Sequence, residues 1–110
     1  MPKRDSSLLI EDIETAISRI ERYTSGLNRE RFLTDDKTVD AVVRNLEIIG
    51  DASRQLPEEF RERHSAIPWH KIAGLRNRIV HDYFGVDLEL IWQIVSIEIP
   101  SLKDSISSLD

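Results

Sequence analysis

The chain has 110 residues, 40% of them hydrophobic and 32% charged, with a net charge of −5 and no cysteine. That length supports one domain with a single modest core, and the missing cysteine excludes disulfides, a thiol nucleophile and thiolate metal sites. The acidic balance argues against a general nucleic-acid-coating protein, and no apolar run approaches the roughly 18 residues that span a membrane.

The N-terminus is basic, but its apolar run, Leu8-Leu9-Ile10, is followed at once by acids, so a secretory signal is not expected. A reducing, cytoplasmic compartment fits the lack of cysteine. Four Gly, four Pro and few alternating β-branched runs favour helices.

The first helix is predicted from about Ser7 to Leu27. Leu9, Ile13, Ala16, Ile17, Ile20, Tyr23 and Leu27 fall at three-and-four spacing and form a core stripe. Asp5, Ser6 or Ser7 can cap it, Glu11 and Asp12 suit its positive end, and Ser25-Gly26 frays or ends it. Asn28 to Thr34 is a connector of about one helical turn. Asp35 or Asp36 then caps a second long helix that runs to about Leu56 on the stripe Val39, Val42, Val43, Leu46, Ile49, Ala52 and Leu56. Gly50 sits in mid-helix, where it costs about 1 kcal/mol relative to Ala, so close approach of another backbone is expected there. Arg44, Glu47, Asp51 and Arg54 lie three or four apart. They make either a solvated face or a stripe from which Asp51 or Glu47 faces a basic site.

Pro57 breaks that helix and can start a short turn over Glu58-Glu-Phe-Arg-Glu-Arg63. Ser65 to Pro68 is a linker, with Ile67 biased to be extended before Pro68. A third helix is predicted from Pro68 to between His81 and Phe84, with Trp69, Ile72, Leu75, Ile79 and Val80 inward. Gly85-Val-Asp87 reads as a stop and a cap. The last helix is predicted from about Leu88 towards Leu109, with Pro100 marking a kink or a break. Its main stripe is Leu88, Ile91, Trp92, Val95, Ile99, Leu102 and Ile106, and a second is Leu90, Ile94 and Ile97. A helix apolar on two faces is buried or shared, and in a chain this small a homodimer interface is the expected explanation.

The candidate chemistry lies in the third helix and just after it. Between Arg61 and His81 five Arg or Lys accompany one acid, Glu62, and all three histidines (His64, His70, His81) fall in the same window. A local cationic site on an acidic chain fits a focused anionic ligand. Asn77 and His81 are four apart and Arg76 and Tyr83 seven apart, so each pair shares a face on a continuous helix. Arg76 and His81 are five apart, about 140° around an ideal helix. They converge if the helix loosens near His81, if Arg76 uses its reach, or if two copies meet across a dimer. A permanent cation beside a group that titrates near neutrality suits phosphate-ester chemistry. The competing reading is a surface Arg and a helix-terminal His that satisfies end carbonyls. No glycine-rich phosphate loop is present, no two histidines lie three or four apart as a zinc site would want, and nothing singles out one nucleophilic Ser. Neither a metal nor a cofactor is therefore expected.

Read together, Arg76-Asn77 and His81-x-Tyr83 match the pattern R-N-x-x-x-H-x-Y at all four positions. With the flanks Asn45-Leu-Glu-Ile-Ile-Gly-Asp-Ala52, Ile67-Pro-Trp69 and Val86-Asp-Leu-Glu-Leu-Ile-Trp92, the chain resembles the HepT-like branch of the HEPN superfamily from about Leu9 to Leu102. Asp51 stands where many relatives carry Glu, which preserves the carboxylate. The resemblance implies an all-α bundle of four to five helices, spanning residues 1–110 as one domain, whose dimer brings two motifs into one cleft. It implies a toxin of a prokaryotic toxin–antitoxin pair that cleaves RNA without a metal. The implied partner is a nucleotidyltransferase antitoxin that in some pairs attaches AMP to the motif tyrosine, here Tyr83. On that reading Arg76 and His81 are catalytic, and Asn77 and Asp51 support them. The rival reading is a non-catalytic subunit that binds a nucleotide or regulates a nucleotidyltransferase partner.

Overall fold

A computed structural model describes residues 4–80 and 85–109, and among them every regular element is helical. Helix α1 spans Ser6–Thr24, capped by Asp5, whose carboxylate accepts from the Ser7 amide at 3.1 Å. Its stripe Leu9, Ile13, Ala16, Ile17 and Ile20 is buried. It stops three residues short of the expected Leu27: Ser25 leaves the helix with ψ 126°, and Gly26, at a positive φ of 78°, completes a turn closed by the Leu27 amide on Thr24 O at 3.0 Å. The connector holds one short helix, α2 (Arg29–Leu33), capped by Asn28. Phe32 on α2 is fully buried, its ring centroid 5.3 Å from that of Trp92.

Helix α3 spans Asp36–Gln55 and is capped by Asp35, which accepts from both the amide and the hydroxyl of Thr38. Val39, Val42, Leu46, Ile49 and Ala52 are buried, and α3 packs along α1 as the main contact of the fold. Gly50 performs the role expected of it. A Cβ there would lie 3.4 Å from the carbonyl oxygens of both Ile72 and Ala73, so the α5 backbone passes within van der Waals contact of this position. Helix α4 (Glu58–Arg63) follows Pro57. His64 then stacks on Phe60 at 4.6 Å, and its carbonyl accepts from the Trp69 indole at 3.1 Å.

The expected third helix is divided. Helix α5 (Trp69–Ala73) and helix α6 (Leu75–Ile79) meet at Gly74, and the helix ends at Ile79 rather than near His81. Each interruption has a donor waiting for the carbonyl it frees. Ala73 O, which in a continuous helix would accept from Asn77, accepts from Arg54 Nη1 at 2.9 Å. Ile79 O accepts from the Asp87 amide at 2.7 Å, and extended Val80 forms an isolated antiparallel bridge with Val86.

Asp87 caps α7 (Leu88–Gln93) as expected, accepting from the Leu90 amide. At Pro100 the helix does not end; the irregularity there is a π-helical turn directly before it. A π-helical turn over Ile94–Glu98 leads into α8 (Ile99–Ser107), and the Ile99 amide reaches back to Ile94 O. Proline lacks the amide that would close an α turn, and its ring would press on the carbonyl four residues earlier. The wider turn relieves that clash. Ile91, Val95, Ile99, Leu102 and Ile106 line the core.

The second stripe is not a free face. Ile94 is fully buried within the protomer and Leu90 is half-buried, whereas Ile97 is 62% exposed. Ile94 lies three residues from Ile91 and shares its buried face, whereas Ile97 stays exposed on the outside.

Candidate active site

Helix α6 is five residues long and has no side-chain cap, so local propensity alone would not hold it. Its inner face, Leu75 and Ile79, is buried against α3 and α7. That leaves Arg76 and Asn77 exposed on the outer side, one turn before the position of His81 in the chain. Arg76 Nε lies 3.9 Å from Glu47 Oε2 on α3, with 61% of the arginine side chain exposed. This is a loose ion pair on a solvated cation, so the guanidinium fork is free to accept an anion.

Asp51, one turn along α3 from Glu47, is exposed and pairs with Arg54 rather than Arg76. Arg54 in turn holds the Ala73 carbonyl at the α5–α6 break. The polar stripe of α3 therefore borders α5 and α6, with Glu47 beside Arg76 and Asp51 paired to the arginine that meets the Ala73 carbonyl. His70 is exposed on α5, and His64 packs on Phe60 away from this stripe. His81 and Tyr83 lie outside the described residues. On either side of that stretch the chain is pinned, by the Val80–Val86 bridge and the Asp87–Ile79 hydrogen bond.

A feature absent from the spacing argument sits on the opposite flank of α6. Arg78 donates to both oxygens of Glu98, Nη1 to Oε1 at 2.9 Å and Nη2 to Oε2 at 2.7 Å. Lys71 Nζ approaches Oε1 of the same carboxylate at 3.7 Å. The pair is only about a quarter exposed on each side. Hydrogen bonding to Arg78 holds the Glu98 carboxyl below the usual range against the opposing effect of burial, and the same hydrogen bonds raise Arg78 further above its ordinary value. Twenty residues separate the partners, so no local pattern signals the contact. Among the described residues, no three His, Asp or Glu side chains converge in a way that could hold a metal ion.

Comparison with known proteins gives the family. The family model described as Ribonuclease HepT-like matches residues 13–109. A protein of Thermococcus cleftensis named "Probable ribonuclease HepT" is 45% identical over 107 residues, 97% of each chain. A protein of Caldanaerobacter subterraneus, provisionally named an RNase, is 41% identical over 92% of this chain and 87% of its own. One of Methanocaldococcus jannaschii, named in the same provisional way, is 37% identical over 96% of this chain and 97% of its own. No solved structure matches. The chain belongs to the HepT-like ribonuclease family of the HEPN superfamily.

Proposed function

We propose that this chain, working as one domain, is a metal-independent endoribonuclease. On this reading it is the toxin of a cytoplasmic toxin–antitoxin pair, and a homodimer brings two copies of Arg76 and His81 to one cleft. The observation that carries the proposal is the state of Arg76 in a chain of this family: an exposed, loosely paired guanidinium on a helix otherwise fixed against the core.

In metal-free cleavage the ribose 2′-hydroxyl attacks the adjacent phosphorus. A base takes its proton, the bond to the 5′-oxygen breaks, and an acid protonates that leaving oxygen, leaving a 2′,3′-cyclic phosphate and a 5′-hydroxyl. One His81 per chain supplies one proton-transfer group, and a dimer supplies both. Arg76 binds the phosphate bidentately and stabilises the charge that builds on it. Asn77 orients the phosphate or the imidazole, and Asp51 holds the start of α6 through Arg54.

The partner is a nucleotidyltransferase antitoxin. Attack of the Tyr83 hydroxyl on the α-phosphorus of ATP would join AMP to the tyrosine and release pyrophosphate. The new phosphodiester puts negative charge where substrate phosphate must sit.

Cleavage of a labelled oligoribonucleotide in excess EDTA tests the first part. The parent should cut, and Arg76→Ala and His81→Ala should lose about 10²-fold or more in kcat, the scale of removing one transition-state donor. Cutting only after magnesium or manganese is added would refute metal independence. For the second part, intact-mass spectrometry after incubation with the partner and ATP should show AMP on the parent and none on Tyr83→Phe. The dimer is read by sedimentation. Because Ile94 is buried in the protomer, Ile94→Glu reports on folding and is no probe of association.

A further inference from the structure

We infer that Glu98 is a positioning residue for the reactive segment, acting through Arg78 to fix how α6 presents Arg76 and where the chain leaves α6 towards His81. The inference rests on the ribonuclease reading of Arg76 and His81 and adds a residue that the motif does not contain.

Helix α6 is held on two flanks by carboxylates of opposite character. On the α3 side, Glu47 touches Arg76 loosely at 3.9 Å and in solvent. On the side of the last helix, Glu98 grips Arg78 with two short hydrogen bonds in a partly buried setting. A bidentate guanidinium–carboxylate pair fixes direction as well as distance. Leu75 and Ile79 set the depth of α6 in the core, and backbone contacts hold its two ends. The Arg78–Glu98 fork adds a directional contact on its flank. The loose pair thus falls on the cation that must be released to a phosphate, and the tight one on its neighbour two residues away.

Two further details point the same way. Lys71, on α5, reaches the same carboxylate, so Glu98 gathers cations from both sides of the Gly74 break. Glu98 is also the last residue of the π turn. That turn holds one residue more than an α turn, so it shifts the side chains before it by about 100° relative to those after it. The irregular turn therefore helps aim the carboxylate at α6. Val80 directly follows α6, and its bridge to Val86 pins the chain on both sides of residues 81–84. Any drift of α6 would be passed to both anchors.

The test is Glu98→Gln in the full chain. Misplacing a catalytic group by about 1 Å can cost about 10²-fold, so kcat on the oligoribonucleotide should fall about tenfold to a hundredfold while KM stays within about twofold. The exchanged pair, Arg78→Glu with Glu98→Arg, should regain most of the lost kcat. Lys103→Met, which removes an exposed ion pair with Glu21 elsewhere, should leave kcat unchanged. Amide hydrogen exchange at Val80 and Asp87 should speed up about tenfold in Glu98→Gln while Val42 and Leu46 on α3 hold their protection. A purely structural role would lower Tm and leave kcat of the folded protein intact well below Tm. Unchanged kcat in folded Glu98→Gln, or an exchanged pair as slow as the single variant, overturns the inference. If the parent cuts no RNA, the ribonuclease reading falls, and unaltered exchange at Val80 and Asp87 would by itself overturn the positioning role.

Discussion

Helices α1 and α3 differ sharply from the stretch between Trp69 and Asp87. The first two run 19 and 20 residues, each with an acidic N-cap and an unbroken apolar stripe. The second is cut into two five-residue helices, ends in an extended residue, and is held by contacts from residues far away in sequence. The main packing of the fold lies in the first region, and the residues proposed for the chemistry fall in the second. A segment made of short pieces can be steered by a few polar contacts in a way that a long self-sufficient helix cannot. Arg54 on Ala73 O, Glu98 on Arg78 and Asp87 on Ile79 O are three such contacts.

Truncating the long helices should have the largest effect on stability. Ile49→Ala removes a fully buried side chain from the middle of α3 and should cost about 2–5 kcal/mol. Denaturant titration should show a lower midpoint with the slope unchanged, and a cost below about 1 kcal/mol would break the division drawn here. Arg76→Ala should do the reverse, since an exposed side chain away from special contacts changes stability by within about 0.5 kcal/mol.

Lowering the pH should act on both regions, on the Asp35 cap of α3, whose carboxyl the Thr38 hydroxyl and amide hold below its usual range, and on Glu98. The Glu98 carboxyl titrates lower in the folded chain than in the unfolded one because Arg78 hydrogen-bonds it. Its contribution is therefore fully present above the unfolded value, about 4.3, and is lost as pH falls through the depressed folded value. Thermal unfolding followed downward from about pH 5 should show a smaller acid-dependent drop in Glu98→Gln than in the parent. Equal drops would mean that other carboxylates carry the effect. The smallest response is expected at Arg29, which pairs with Glu89 on the open surface with both side chains more than half exposed. Arg29→Met should leave Tm unchanged within measurement.

The long helices were legible because their caps and stripes are local. Asp35, Asp87 and the α3 stripe sit where spacing places them. Gly50 was legible as a close approach because glycine in mid-helix has few other reasons to be there. The division of the third helix was not legible, because the donors that compensate its breaks come from Arg54 and Asp87. The polar stripe on α3 was visible as a stripe, but side-chain reach decided that Glu47 rather than Asp51 sits beside Arg76. Glu98 could not be found from the motif, being 20 residues from its partner and aimed by a turn that no propensity predicts. Of the second apolar stripe, Ile94 joins the buried face of Ile91 and Val95, while Ile97 stays outside.

The same turn makes the stretch from Asp87 to Leu102 depend on backbone geometry more than on the side chains at its exposed positions. Helices α7 and α8 are two rods joined out of phase, each seated in its own register. Ile97, 62% exposed, makes little demand as a side chain, yet its backbone supplies the spacing between the rods. Replacing it with a polar residue should be almost silent. Loss of one residue with a return to α geometry would leave the two rods seated as they are, but closing the turn as an α-helix with every residue kept would rotate α7 by about 100° against α8. Ile91 would then swing out of the core, Glu98 would lose Arg78, and the Asp87 cap would be drawn off Ile79. The wide turn is thus what seats both rods at once with this number of residues between them.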